Sequence, residues 1–404
     1  MKKVILLKIM VLTVAIVFGQ TSGNIAVVDQ NANGNNAEIL QTGSDNVAKL
    51  KQEVKDNEAN IVQTGDRNIL TNSKLVSSNP GFAHQRATSV LDLDQIGNDN
   101  VLGLYQNNQK NKAFVLQDGL SNNADVWQKA FGGVVSGNET DIDQIGDENS
   151  SDIYQTGDLN NGVVNIEGNL NITQLSQDGI NVGPTGGLSN SSNVNITGNE
   201  NNVDVDQYGN NNIGNVTVDY YGDAKTIAEL NVVVVDQDGD GNQGNITVKG
   251  ASNTVDLIQD GNGNREYVQI FGSTNDVDIT STGNNNRGFW LLNGQSDNND
   301  LDVVKDGNGN KATGHIRGDD NVVNVSQTGN DNLVTASGQY NGKDGVVIEG
   351  DFNNADIVQL GDGNTGLIFQ TGDSNIGSIS STGNGHFGSI TQTGNMNQAL
   401  ITQN

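Results

Sequence analysis

The residues that could support catalysis or metal binding are few and far apart. The three histidines, His84, His315 and His386, show neither metal-ligand spacing nor a Ser/His/Asp arrangement, which favours surface positions without function. Residues 236–241 (DQDGDG) copy the start of an EF-hand calcium loop, but the twelfth position is Thr247 rather than glutamate. We interpret this segment as a turn, with adventitious calcium binding left open. We predict no catalytic residue, no cofactor and no metal site.

Two other patterns could bind ligands. Trp127, Trp290 and the pair Tyr220 and Tyr221 could be sugar-stacking platforms, although packing within loops is favoured. Threonines that directly follow glutamines could form an ice-binding ladder, but they are neither consecutive nor paired along one face. These threonines are Thr42, Thr64, Thr156, Thr328, Thr371 and Thr393.

The composition excludes an ordinary globular enzyme. Of 404 residues, 33% are hydrophobic and 4% aromatic, whereas a globule of this size needs a richer apolar core. Disorder is disfavoured because the chain has only 2 prolines. The net charge of −28 disfavours nucleic acid and anionic membranes as partners.

Residues 1–19 have the pattern of a signal peptide. Lys2 and Lys3 precede an apolar stretch from Ile9 to Phe18, and cleavage after Gly19 would leave Gln20 first. The stretch is short for a membrane span, so we predict an exported mature chain without membrane insertion. Because the chain has no cysteine, neither lipid attachment nor disulfides are available.

The remaining chain is one repeat. The string Q-x-G-x-x-N occurs thirteen times with a recurrent spacing of 11 or 22 positions, and its first copies are Gln41, Gly43, Asn46 and Gln63, Gly65, Asn68. The other copies begin at Gln95 (ending at Asn100), Gln117, Gln144, Gln155, Gln207, Gln237, Gln259, Gln327, Gln359, Gln370 and Gln392. Degenerate copies keep the phase, and in five of them an aliphatic residue replaces the glutamine: Ile166, Val248, Ile270, Ile316 and Ile348.

Each unit reads as a strand and a turn. Ala355, Ile357 and Gln359 alternate with Asp356 and Val358, and Gly and Asn follow as turn residues. Alternation places the amides and aliphatic side chains inside and the carboxylates outside. We therefore predict an all-β fold, a flat parallel β-solenoid with two strands per 22-residue coil. It would have about 17 coils stacked about 4.8 Å apart, with amide ladders along its interior.

The repeat phase slips near residues 71–90, 129–141, 180–192, 219–230, 293–302 and 336–346. We predict that loops leave the edge of the rod there, and that residues 20–404 form one continuous array. Both ends are predicted to expose unpaired strand edges, at Gln30 and Gln41 and at Asn397 and Gln403. Head-to-tail stacking of such ends gives an open filament.

The pattern resembles the curlin repeat of bacterial curli fibres. Residues 41–52, from Gln41-Thr42-Gly43 through Asn46 to Gln52, match that repeat. The resemblance covers essentially the whole mature chain. It implies a left-handed solenoid that polymerises with itself outside the cell into amyloid fibres of the biofilm matrix. Other curlin-like subunits and an outer-membrane secretion channel are the implied partners.

We therefore predict a secreted structural subunit of cell-surface fibres that has no enzymatic activity. One alternative is a monomeric solenoid adhesin whose loops bind glycans or a host surface. A second alternative, a β-helix polysaccharide lyase, would need acids and basic residues clustered on one face. The basic residues look scattered in the sequence, which disfavours it.

Overall fold

The computed structural model describes residues 23–74, 81–108, 110–130, 137–179, 189–220, 228–294, 296–335 and 345–404. The predicted signal peptide and Tyr221 lie outside these residues, as do parts of the six predicted loop regions. The described residues form 33 strands joined by turns. These strands make two sheets, of 17 and 16 strands, which we call sheet A and sheet B.

Sheet A contains β1 (Ile25–Gln30), β3 (Val47–Glu53), β5 (Ile69–Thr71), β6 (Ala83–Arg86), β8 (Val101–Asn107), β10 (Asn123–Lys129), β12 (Ser150–Thr156), β14 (Ile172–Asp178), β16 (Asn202–Tyr208), β18 (Val232–Asp238), β20 (Thr254–Asp260), β22 (Asp276–Thr282), β24 (Asp300–Asp306), β26 (Val322–Thr328), β29 (Asn354–Leu360), β31 (Ile376–Thr382) and β33 (Gln398–Gln403).

Sheet B contains β2 (Asn36–Thr42), β4 (Glu58–Thr64), β7 (Val90–Asn98), β9 (Lys112–Leu120), β11 (Glu139–Ile145), β13 (Asn161–Glu167), β15 (Ser191–Thr197), β17 (Ile213–Asp219), β19 (Gln243–Lys249), β21 (Arg265–Phe271), β23 (Arg287–Leu292), β25 (Lys311–Arg317), β27 (Leu333–Val334), β28 (Val346–Glu349), β30 (Thr365–Thr371) and β32 (Phe387–Thr393).

Successive strands alternate between the two sheets, except that β5 and β6 both lie in sheet A and β27 and β28 both lie in sheet B, and the strand pairs within each sheet are parallel. Gln41 pairs with Gln63 in sheet B, and Val255 pairs with Val277 in sheet A, so each partner lies one full coil further along the chain. The predicted parallel β-solenoid with two strands per coil is therefore confirmed.

The number of coils is smaller than predicted. The 33 strands form 31 half-turns, because β5 and β6 share one half-turn and β27 and β28 share another. That is between 15 and 16 coils rather than about 17. Division of the chain length by the 11-residue repeat overestimated the number of coils, because extra residues between strands add length without adding coils.

These extra residues show in the spacing of paired strands. The spacing rises from 22 to 32 between β4 and β7, to 27 between β9 and β11, and to 30 between β13 and β15. It is 30 between β16 and β18, 24 between β22 and β24, and 32 between β26 and β29. The strands on the two sides of each gap remain in register.

The core is thin because each strand turns only alternate residues inward. In β3, Ala48, Leu50 and Gln52 are fully buried, and the residues between them lie at the outer surface. An aliphatic residue followed two positions later by an amide recurs along most of sheet A and near the two ends of sheet B. A chain poor in hydrophobic residues can fold this way because buried amides fill part of the interior and hydrogen-bond to one another.

Candidate functional site: polar ladders, outer faces and rod ends

Glutamines form a hydrogen-bonded ladder along the interior of sheet A. Each Nε2 donates to Oε1 of the glutamine in the next coil, as Gln207 does to Gln237 at 2.8 Å. Gln207 Nε2 also donates to the Ser191 carbonyl in sheet B at 3.2 Å, which ties the two sheets together. Unbroken donation runs through Gln30, Gln52, Gln85, Gln106, Gln128, Gln155, Gln177, Gln207, Gln237 and Gln259. The ladder resumes where Gln327 donates to Gln359 at 2.9 Å.

In sheet B the amide ladder is interrupted by aliphatic residues. Its glutamines lie near the two ends of the rod, at Gln41, Gln63, Gln95, Gln117, Gln144, Gln370 and Gln392. Between them the same inward position carries Ile166, Ile196, Val218, Val248, Ile270, Leu292, Ile316 and Ile348, all buried. One side of the core is therefore polar from coil to coil, whereas the other is polar mainly near its ends.

Asparagines hold the corners. Asn46 Oδ1 accepts the Asn68 backbone N–H at 2.9 Å, and Asn46 Nδ2 donates to the Gly65 carbonyl at 2.7 Å. Asn68 binds the Asn100 N–H in the same way at 3.1 Å. The glycine must lack a side chain, because a Cβ on Gly43 would lie 2.1 Å from the Gly65 carbonyl oxygen. The glycine and asparagine of each repeat therefore form one corner together.

A second corner ladder was missed in the sequence. The residue three positions after the ladder glutamine is Asp or Asn in most repeats, and its side chain accepts a backbone N–H of the preceding coil. Ser44 N donates to Asp66 Oδ1 at 2.8 Å, and Asp66 N donates to Asn98 Oδ1 at 2.7 Å. Hydrogen bonds from Ser44 lower the pKa of Asp66. The recurring Asp or Asn was the signal that could have revealed this ladder.

The segment that resembles a calcium loop belongs to these ladders. Gln237 is buried in the glutamine ladder, and Asp240 Oδ1 accepts the Asn210 backbone N–H at 2.9 Å. Among the described residues, no three His, Asp or Glu side chains are arranged to hold a metal ion.

A buried ion pair was also missed. Lys305 occupies a glutamine position of sheet A, and its Nζ lies 2.7 Å from Oε1 of Glu266 in sheet B, with both side chains 0% exposed. Ser281 Oγ donates to the same oxygen at 2.9 Å. A Cβ on Gly288 would lie 1.9 Å from Glu266 Oε2, so the neighbouring coil leaves room for the carboxylate. A lysine and a glutamate at inward positions were the signal in the sequence.

Aromatic side chains stack on the outer face of sheet A. Ring centroids are 5.5 Å apart for His84 and Tyr105, 6.0 Å for Tyr105 and Trp127, and 4.3 Å for Trp127 and Tyr154. The Trp127 and Tyr154 planes are nearly parallel, at 5°, so the stacked rings cover each other's faces. Trp127 therefore has an aromatic ring against each of its two faces, and the stacked rings stabilise the sheet.

Four of the single-residue interpretations need correction. Trp127 and Trp290 lie in strands rather than in loops, and Trp290 is fully buried at an inward position where the next coil has Gly314. His84 and His315 are buried rather than at the surface. His84 contacts Glu53 at 3.2 Å, and His315 hydrogen-bonds Asn293 at 2.8 Å. Alternation turns Trp290 inward, whereas His84 and His315 occupy outward positions of β6 and β25 and are buried there by neighbouring side chains.

Carboxylates crowd the outer face of sheet A. Burial, followed by repulsion from Asp206 and Asp236, raises the pKa of Asp204 from 3.8 to about 6. Burial also raises the pKa of Asp206 and Asp236. Because the folded-state pKa of Asp204 exceeds the unfolded value, its contribution to stability is present below pH 3.8 and is lost as the pH rises through about 6.

We therefore expect Asp204→Asn to raise the thermal unfolding midpoint at pH 7.5 and to leave it nearly unchanged at pH 4. Circular dichroism melts at the two pH values measure this difference. Asp66→Asn is the control with the opposite sign, because hydrogen bonds lower the pKa of Asp66, and it should give no gain at pH 7.5. An equal gain for Asp204→Asn at both pH values would contradict the assignment.

The terminal strands leave hydrogen-bonding edges open. Among the described residues, β1 pairs only with β3 and β2 only with β4, while β32 pairs only with β30 and β33 only with β31. Gln41 Oε1 is buried without a hydrogen-bond partner, and the Gln403 Nε2 makes one hydrogen bond, to the Phe387 carbonyl at 2.9 Å. Asn397 donates to Asn375 and offers its own carboxamide oxygen toward the open end.

Comparison with known families identifies the repeat. The curlin associated repeat matches residues 250–283 and 350–383, and each match covers three successive half-turns. No curated protein matches the sequence. Over the described residues, no helix has the length and apolar character needed to cross a membrane.

Proposed function

Two segments of the chain match the curlin associated repeat, and from this premise we propose that the protein is an exported structural subunit of curli-like extracellular amyloid fibres. In this proposal residues 1–19 direct export, residues 20–404 form one continuous left-handed solenoid, and the protein has no enzymatic activity. Fibres at the cell surface would serve adhesion and the biofilm matrix. Other curlin-like subunits and an outer-membrane channel are the proposed further partners.

Complementary open ends are the observation that carries this proposal. Within the rod, a glutamine Nε2 donates to Oε1 of the next coil. At the first coil the buried Gln41 Oε1 lacks a donor, whereas at the last coil Gln403 Nε2 retains a second hydrogen. The last coil of one copy therefore has a free hydrogen-bond donor, and the first coil of the next copy has a free acceptor. Pairing would also bury inner residues that are half-exposed only at the ends, such as Ala26 and Ile401.

The odd number of half-turns in the described part of the chain decides how the copies would stack. β1 and β33 both belong to sheet A. A copy added without rotation would place β1 on β33 and leave a half-turn missing in sheet B. A copy rotated by about half a turn around the rod axis closes this gap, because β1 then extends sheet B beyond β32 and β2 extends sheet A beyond β33. Gln41 Oε1 would then face Gln403 Nε2 of the preceding copy.

Engineered cysteines test this stacking, since the chain has no native cysteine. Leu40 in β2 and Thr402 in β33 are exposed and would become neighbours about 4.8 Å apart, within reach of a disulfide. We expect Leu40→Cys/Thr402→Cys fibres to give covalent multimers on non-reducing gels. Asp29→Cys/Thr402→Cys is the matched control and should not cross-link, because Asp29 lies in β1.

Two outcomes would contradict the proposal at different levels. A protein that stays monodisperse from pH 4 to pH 8, even with sonicated seeds, would overturn fibre formation and favour the monomeric adhesin. Fibres in which only the Asp29→Cys/Thr402→Cys variant cross-links would leave fibre formation intact and overturn the half-turn rotation.

A further inference from the structure

Three successive coils carry opposite charges on their two outer faces. On sheet A, the exposed or half-buried aspartates of β20, β22 and β24 form what we call the acidic face. Asp256, Asp278 and Asp302 align in one row, and Asp276 and Asp300 align in another. The acidic face is completed by Asp260 and Asp306 at the ends of β20 and β24. The only cation in these three strands, Lys305, is buried in the core.

The opposite face of the same coils is basic. Arg265, Arg287 and Lys311 are the first residues of β21, β23 and β25, and they lie in register in adjacent strands. All three are exposed, and none forms a salt bridge with another described residue. We call these three residues the basic ladder. One more cation, Arg317, lies at the other edge of this face, at the end of β25.

We propose that the basic ladder of one copy docks on the acidic face of a second copy, so that rods associate side by side. The two charged surfaces have the same axial spacing, because both repeat once per coil at about 4.8 Å. The three basic residues of one rod can therefore lie opposite the aspartates of three successive strands of another rod without a change in the coil spacing of either rod. Single exposed ion pairs are weak, but pairs that form together on two rigid surfaces reinforce one another.

The geometry favours simple sideways translation. The chain reverses direction between the two sheets of a coil, so the first residues of sheet B strands lie at the same edge as the last residues of sheet A strands. A copy translated by one rod width would place Arg265 and Lys311 opposite Asp260 and Asp306. The same movement would place Arg317 near Asp276 and Asp300. Because each copy keeps one acidic and one basic face free, the contact is open and gives rafts of rods.

Lateral docking rests on the proposed function only in that end-to-end stacking sets the length of the rods that associate. One experiment tests end-to-end stacking and lateral docking separately. Negative-stain images give the length and the width of the filaments. The length measures end-to-end stacking, and the width measures side-by-side association. At about 20 mM salt we expect wild-type filaments in rafts, and at about 500 mM salt single filaments, since screening weakens exposed ion pairs. Arg265→Glu/Arg287→Glu/Lys311→Glu should reduce the fraction of filaments in rafts about tenfold at low salt without shortening them.

The matched control is Lys49→Glu/Lys55→Glu/Lys110→Glu, which changes the net charge equally at positions outside the three coils and should retain rafts. Mixing the Arg265→Glu/Arg287→Glu/Lys311→Glu variant with Asp260→Lys/Asp306→Lys should restore mixed rafts. If no filaments form, the fibre proposal fails, and salt-sensitive rafts of single rods would still support lateral docking. Loss of rafts in the control to the same degree, or no lateral association at low salt, would overturn it.

Discussion

Gly209→Ala should destabilise the rod by about 4 kcal/mol, because the new methyl group has no place to go. Gly209 has φ +104°, and a Cβ there would lie 2.1 Å from the Gly239 carbonyl oxygen of the next coil. That oxygen belongs to the backbone of the corner and cannot move without breaking the strand register. Denaturant unfolding followed by circular dichroism measures the loss of free energy.

Gly363→Ala is the matched control for this prediction. Gly363 also has a positive φ, of +68°, but a Cβ there would meet nothing within 4 Å. We expect a loss of about 1 kcal/mol, the cost of a left-handed backbone conformation for alanine. Equal losses for the two variants would show that φ alone, rather than the close approach of successive coils, makes glycine necessary at the corner.

Lys305→Gln should cost about 3–5 kcal/mol of unfolding free energy, although it restores the residue typical of that ladder position. The substitution leaves Glu266 charged and fully buried without its partner, which lies 2.7 Å away in the native rod. A buried carboxylate without a counter-ion is strongly unfavourable. The denaturation midpoint of the variant measures this cost.

The double variant Lys305→Gln/Glu266→Gly should recover most of that stability. Glycine occupies the position of Glu266 in the strands on either side, at Gly244 and Gly288, so the double variant extends the glutamine ladder from Gln327 by one coil and restores its usual neighbour. If the double variant is no more stable than Lys305→Gln alone, the ion pair is not the reason for the loss. Glu266→Gly alone should be destabilised, because it leaves Lys305 unpaired.

The buried side chains of this fold could be predicted from the sequence because burial depends on the residue pattern within a single repeat. Alternation along a single strand, such as residues 355–359, decides which side chains point inward. The glycine and asparagine that follow decide where the strand ends. Since every coil repeats these choices, thirteen copies of one string were enough to predict a parallel solenoid and its amide interior.

The features that were missed depend on how coils are stacked. Glu266 and Lys305 are distant in the sequence and face each other only because they lie in different sheets of neighbouring coils. Arg265, Arg287 and Lys311 look scattered in a chain that has 20 basic residues. They form a ladder because strand pairing brings them into register across adjacent coils. The coil count was overestimated for the same reason, since extra residues between strands are invisible to a count by 11.

The sequence by itself determined the strands, the corners and the side of each strand that is buried, because these follow from backbone and side-chain preferences within a single repeat. The tertiary structure alone decided which residues of distant repeats share a face, which sheet each end strand belongs to and how many coils the described residues form. Those properties depend on alternation of half-turns between two sheets, so they emerge only when the whole array is wound. The surfaces on which the proposed assembly depends, the sheet-by-sheet match of the two ends and the charged faces, belong to the second kind.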